Sequence, residues 1–275
     1  MAKTSREFTV RSLSAAVLAP AAIGLAWLGG VYLTAGVAMA AIVGILELRR
    51  ISIAAGWGFA LLPALLLAAA LIVRPQLADA YQPALYLASA VVIALTLAIW
   101  LATPPRRRRA IAWLAGIAGA VYVAGLASAL LSLRGLSEGF TWILVAFVGT
   151  WVYDTGGYLG GKFFGRHLLA PRISPKKTWE GVAAGTGSVL ICVAVFSFFL
   201  TIEFWHIPVL AMLVAAAAQM GDLFESALKR TAGVKNSGAV IPGHGGILDR
   251  VDSLLAVGLV VYIYALLVAN AQSSV

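Results

Sequence analysis

Long apolar runs, separated by short polar or glycine-containing breaks, dominate this chain from end to end. They fall near residues 12–29, 31–48, 55–73, 84–102, 110–132, 140–160, 182–203, 207–225 and 251–270. A hydrocarbon core about 30 Å thick needs roughly 20 apolar residues per helix, and the runs have that length. The period-2 alternation that marks a barrel is absent. Backbone groups in lipid must hydrogen-bond internally, so helices are the remaining solution. The pattern predicts an all-α, polytopic integral membrane protein of about nine transmembrane helices. Only Gly29 and Gly30 separate the first two runs, which predicts a tight helical hairpin. The count becomes eight or ten if the glycine-rich 140–165 stretch is re-entrant. The first run resembles a signal sequence, but eight further spans follow, so it reads as a retained helix. No internal repeat is visible. The chain divides into membrane helices over 1–138 and a second membrane region over 139–275, with polar loops at 161–181 and 226–250 expected on the cytoplasmic side.

Composition agrees with lipid as the solvent. Of 275 residues, 61% are apolar and 11% charged, against about 25% charged in a soluble protein. Charge placement then gives an orientation. With the N-terminus inside, 18 of the 20 Lys and Arg residues fall on the cytoplasmic side, leaving Arg74 and Arg134 outside. The net charge of +9 is accounted for by orientation and by attraction to anionic lipid headgroups. It calls for no nucleic acid, and most of the basic residues, including the Arg106–Arg109 run, need do nothing else. Cys192, inside a span, is the one cysteine, so there is no disulfide framework.

Two cytoplasmic segments, 154–181 and 219–253, break the apolar pattern. They hold six of the eleven acidic residues and nine of the twenty basic ones. Ionisable residues at a membrane are costly and are functional candidates by default. In the first segment Gly156 to Lys162 spells the start of a phosphate-binding P-loop. Phe163 then stands where that motif needs Ser or Thr, and the context is helix rather than strand. Glycines spaced by four fit a close approach of transmembrane backbones instead. Asp154 at the inner helix end is open between a ligand and a paired polar group. Ser174 to Glu180 reads as a loop entering the next helix, with Lys176 and Lys177 as an anion cradle or as orienting charges behind a Ser or Thr cap.

In the second segment Asp222, Ser226 and Lys229 share one helical face at i, i+4 and i+7. Glu225 is spaced to pair with Lys229. A glycine-rich linker around His244 follows. Asp249 and Asp252, three apart, then share a face at the start of the last span. The expectation is that Asp222, Asp249 and Asp252 converge beside Lys229, Arg230, Lys235 and Arg250. Carboxylates selecting Mg²⁺, beside fixed cations, form a phosphoryl-transfer constellation. His244 has no second His or Cys nearby, so it reads as loop architecture or a phosphate contact rather than a zinc ligand.

The stretch S-A-L-K-R-x4-K-N-S-G-x3-P-G-H-G-G-I-L-D-R-V-D closely resembles the signature of the phosphatidate cytidylyltransferases, or CDP-diacylglycerol synthases. The upstream D-T-G-G-Y-x2-G and I-S-P-K-K-T-W-E-G stretches are similar to that family as well. The resemblance covers mainly residues 140–255, and Asn236 stands where the family typically has Asp. It implies transfer of a cytidylyl group from CTP to phosphatidic acid, giving CDP-diacylglycerol and pyrophosphate, with Mg²⁺ and an open question of a second, monovalent cation. It implies metal or catalytic roles for Asp222, Asp249 and Asp252, and active-site roles for Ser226 and Lys229. Lys176, Lys177, Arg230, Lys235, His244 and Arg250 are candidates for substrate binding. Membrane lipids, and a homodimer, are expected partners, and the inner membrane with a cytoplasm-facing site is the expected location. Two rival classes are a transporter, which favours midplane sites and repeated halves, and a CTP-dependent lipid kinase, which releases CDP instead of pyrophosphate.

Overall fold

A computed structural model describes residues 2–102, 104–241 and 245–273, and the side chains of 14, 16–102, 104–241 and 245–268. Ten helical segments run in chain order: α1 (Ala2–Leu28), α2 (Gly30–Ala54), α3 (Leu61–Val73), α4 (Gln82–Ala102), α5 (Arg106–Ala120), α6 (Leu126–Arg134), α7 (Gly139–Phe164), α8 (Trp179–Phe196), α9 (His206–Thr231) and α10 (Leu248–Ser273). A π-helical turn at Val121–Gly125 joins α5 to α6, so Arg106–Arg134 is one continuous rod. Each of the nine apolar runs therefore finds a helix among the described residues.

Six of these helices are long and apolar enough to cross a membrane: Gly30–Ala54, Asp79–Ala102, Arg106–Arg134, Trp179–Phe199, His206–Thr231 and Leu248–Val268. The other three runs fall on helices that are shorter or more polar. In α3, Leu61–Val73, the helix starts six residues later than the apolar run, because Gly56 and Gly58 adopt positive φ and hold the chain in a turn. α7 is one uninterrupted helix of 26 residues, without an internal break in the 140–164 stretch. Outward faces carry exposed Trp27, Leu87, Ile99, Phe198 and Phe204. α4 buries none of its residues although almost all are apolar, as expected of a helix bathed in lipid.

The chain forms two compact units. The first comprises Met1–Leu131 with Leu228–Arg250, and its core gathers Ile45, Leu48, Ala60, Ala64, Ala120 and Val123. Here Gly44 admits the Val123 side chain of the π-turn, and Gly119 admits Leu48 and Phe59. The second comprises Ser132–Ala227 with Val251–Val275, with Ile143, Val145, Val189, Val193, Leu210, Val214 and Val261 in its core. Its tightest contact is α7 on α8. A methyl group on Gly160 would strike the Ala184 side chain, and one on Gly181 would lie 2.8 Å from the Gly157 carbonyl oxygen. The glycines spaced by four are thus packing glycines, and Gly156 to Lys162 is helix interior rather than a phosphate loop.

One element departs from the all-helical expectation. Ser174–Thr178 is not a plain loop but strand β2, paired antiparallel with β1 (Leu168–Ala170). Arg172 and Ile173 lie in the turn between them. Thr178 ends the hairpin and caps α8, its hydroxyl accepting from the Gly181 N–H at 3.1 Å.

Candidate functional site

In the second unit the hairpin delivers Lys177 to α9. Its Nζ lies 2.5 Å from Asp222 Oδ2, and Ser226 donates to Asp222 Oδ1 at 3.1 Å. The i, i+4 face read from the sequence is real, and it meets the first polar segment through this ion pair. Asp222 and Lys177 keep 30% and 22% of their side chains exposed, so the pair is open to an incoming ion. Tyr153, buried on α7, donates to Gln219 at 2.9 Å, with Asp154 and Asp222 both within electrostatic reach of its phenol. Asp252 belongs to this neighbourhood as well. A methyl on Gly221 would sit 2.6 Å from the Asp252 carbonyl oxygen, so α9 and α10 abut backbone to backbone beside Asp222. Glu180 closes the hairpin base, accepting from the Arg166 and His167 N–H groups and from the His167 ring. Lys176 is exposed on the strand beside Lys177.

In the first unit the linker is a built turn. After α9 the chain reverses at Gly233, at φ 66°, where the Gly233 and Val234 N–H groups satisfy the last carbonyls of the helix. Ile241 and Gly245 form an isolated antiparallel bridge, and Gly245 has φ 87° with no room for a side chain against Asp249. His244 lies outside the described residues. Asp249 then holds the turn. Its Oδ2 accepts from the Ser237 and Gly246 N–H groups at 3.0 and 2.9 Å, and its Oδ1 accepts from Lys229 Nζ at 2.6 Å. Reaching back three residues to a free N–H is the gesture of a capping-box carboxylate. The pair is nearly dry, with 12% of Lys229 and 6% of Asp249 exposed. Arg230, Lys235, Asn236 and Arg250 are exposed, and Arg230 reaches the Val234 carbonyl at 3.4 Å.

One residue that holds this turn from another helix is not legible in the local sequence. Glu47 sits inside α2 and is 1% exposed. Its Oε2 accepts from Ser237 Oγ at 3.0 Å and the Leu248 N–H at 2.8 Å, and its Oε1 from the Ile247 N–H at 3.0 Å. The available signal was a lone carboxylate within an apolar run, itself a functional flag.

Among the described residues no three His, Cys, Asp or Glu side chains form a ready metal cage. That donor set still suits Mg²⁺, which is commonly held by one or two carboxylates together with substrate phosphates. Asp222 offers hard, partly exposed oxygens that already attract an ammonium ion.

Comparison with known proteins places these features in a family. A phosphatidate cytidylyltransferase of Brucella melitensis is 40% identical over 160 residues, covering 56% of this chain and 58% of the relative. Those of Staphylococcus saprophyticus and Staphylococcus aureus are 46% identical over 123 residues, covering 44% of this chain and 47% of the relative. The chain thus spans about half the length of the curated relatives it matches. The model of the cytidylyltransferase family matches far more, residues 9–268, and the chain belongs to that family.

Proposed function

We propose that this protein transfers a cytidylyl group from CTP to phosphatidic acid, forming CDP-diacylglycerol and pyrophosphate at the cytoplasmic edge of the inner membrane. The observation that carries the reading is the pairing of lysines with aspartates where two polar segments break the membrane pattern, Lys177 with Asp222 and Lys229 with Asp249. The names of the relatives supply the substrate class.

The chemistry asks little of acid or base. A phosphate monoester has its second pKa near 6, so the phosphatidate oxygen is already anionic and attacks the α-phosphorus without a proton acceptor. The bond from the α-phosphorus to the bridging oxygen breaks, and pyrophosphate leaves with that electron pair. The barrier lies in bringing two polyanions together in line. Asp222, whose carboxylate is partly exposed, is the residue best fitted to hold Mg²⁺. When bound, the ion neutralises triphosphate charge. Lys177, and the exposed Lys176 beside it, suit the triphosphate of CTP. Lys229, held in place by Asp249, suits charge growing on the leaving pyrophosphate. The exposed Arg230, Lys235 and Arg250 offer the lipid phosphate a basic rim.

Purified protein incubated with CTP, Mg²⁺ and phosphatidic acid in mixed micelles should yield CDP-diacylglycerol and pyrophosphate in equal amounts. Release of CDP with a newly phosphorylated lipid would replace this reading with that of a lipid kinase. Removing divalent ions with EDTA should stop turnover, and adding Mg²⁺ back should restore it.

A further inference from the structure

We propose that Glu47 is a positioning residue that sets the Asp249–Lys229 pair, acting from α2 through the turn at Ser237 and Gly246–Leu248. The inference rests on the function proposed above and adds to it a residue nearly two hundred positions away in sequence from those the turn carries. A buried carboxylate in a membrane helix is expensive unless its charge is answered. Glu47 is answered by three donors of one turn: the Ser237 hydroxyl and the Ile247 and Leu248 N–H groups. The last two are orphan donors at the start of α10, so Glu47 acts as that helix's N-terminal cap, in a place where negative charge also meets the positive end of the helix dipole.

The two carboxylates divide the turn between them. Ser237 gives its N–H to Asp249 and its hydroxyl to Glu47. Gly246 gives its N–H to Asp249, and the next two residues give theirs to Glu47. Moving either carboxylate therefore moves the donors of the other. The linker glycines show that the fit is close. A methyl on Gly238 would lie 2.5 Å from Glu47 Oε1, and one on Gly246 would strike both Ser237 Oγ and Glu47 Oε2. Neither glycine has positive φ. They are small because the Glu47 carboxylate needs the space, whereas Gly245 is glycine for its backbone conformation.

Glu47→Gln keeps the size but turns an amide N–H₂ toward N–H donors. Residues that orient the groups of a metal-dependent site typically cost ~10–100-fold when changed. We expect Glu47→Gln to lower kcat by ~10–100-fold with the KM for CTP changed by less than ~3-fold, and Glu47→Asp, which keeps the charge, to retain more activity than Gln. Ser237→Ala is the gentler variant should Glu47→Gln fail to accumulate, with a smaller fall in kcat in the same sense. Hydrogen exchange on the resting protein should quicken at residues 237 and 246–248 in Glu47→Gln. Two results overturn the proposal: exchange there unchanged from the parent, or folded Glu47→Gln turning over within twofold of it. A parent that makes no CDP-diacylglycerol fails the activity reading alone, because the exchange measurement still decides whether Glu47 orders the turn.

Discussion

At the scale of single residues, Asp249 and Lys229 form the driest charged pair among the candidate residues. Removing one partner of such a pair leaves the other charge buried and uncompensated. Asp249→Asn keeps the side-chain volume and one acceptor for the turn, but withdraws the charge that fixes Lys229. Its kcat should fall by ~10²–10³-fold while the protein still inserts and purifies; turnover within a few-fold of the parent would reduce Asp249 to a helix-start residue. Lys229→Met tests the other partner. A lysine acting on charge that grows at the leaving group lowers kcat more than it raises the KM for CTP, whereas a change confined to KM would reveal ground-state binding only. Asn236 is the third case. It is exposed in the turn, and its neighbour Ser237, not its own side chain, is the residue that Asp249 and Glu47 grip. Asn236→Asp should therefore change kcat/KM by less than ~10-fold and leave the Mg²⁺ requirement little altered, since Asn and Asp serve a turn about equally. A rescue of ~100-fold or more would move the position into the proposed metal site. Local spacing made Asp222, Ser226 and the acidic start of α10 legible in the sequence. Glu47 was not, because nothing near it in the chain says that its partners lie at residues 237, 247 and 248.

At the scale of elements, α7 and α8 join along glycines that leave no space for side chains on the facing sides. Gly160→Ala places a methyl against Ala184, an overpacking that typically costs ~1–3 kcal/mol. Gly187, on α8, has nothing within 4 Å of its would-be methyl, so Gly187→Ala should be neutral or slightly stabilising through helix propensity alone. Thermal unfolding in detergent should separate the two, and equal midpoints would mean that the contact is looser than the structure has it. Spacing by four announced this contact in the sequence. The β1–β2 hairpin was not announced, since a three-residue Leu-Leu-Ala strand and a five-residue strand of Ser, Pro, Lys and Thr are too short to show the alternation that marks a strand. Its pairing comes from tertiary context, with Thr178 tied to α8 and Lys177 tied to Asp222.

For the whole molecule, hydropathy alone located each helical run, because in lipid the length of an apolar segment is nearly the whole rule. It was less informative where the run and the helix part company, as at Gly56 and Gly58 before α3. The sidedness inferred from basic residues makes a direct prediction. Cysteines placed at Arg107 and Lys176 should react with an impermeant thiol reagent only from the cytoplasmic side, and one at Ser273 only from outside. The native Cys192 is buried, which keeps the background low. Equal sidedness at Lys176 and Ser273 would overturn the nine-span topology. The contact of α7 with α8 then bears on how a lipid reaches the protein. Two helices whose backbones touch along several turns behave as a closed seam, with no slit through which a pair of acyl chains can slide. In the proposed reaction, a phospholipid diffusing in the leaflet would have to enter past some helix other than these two.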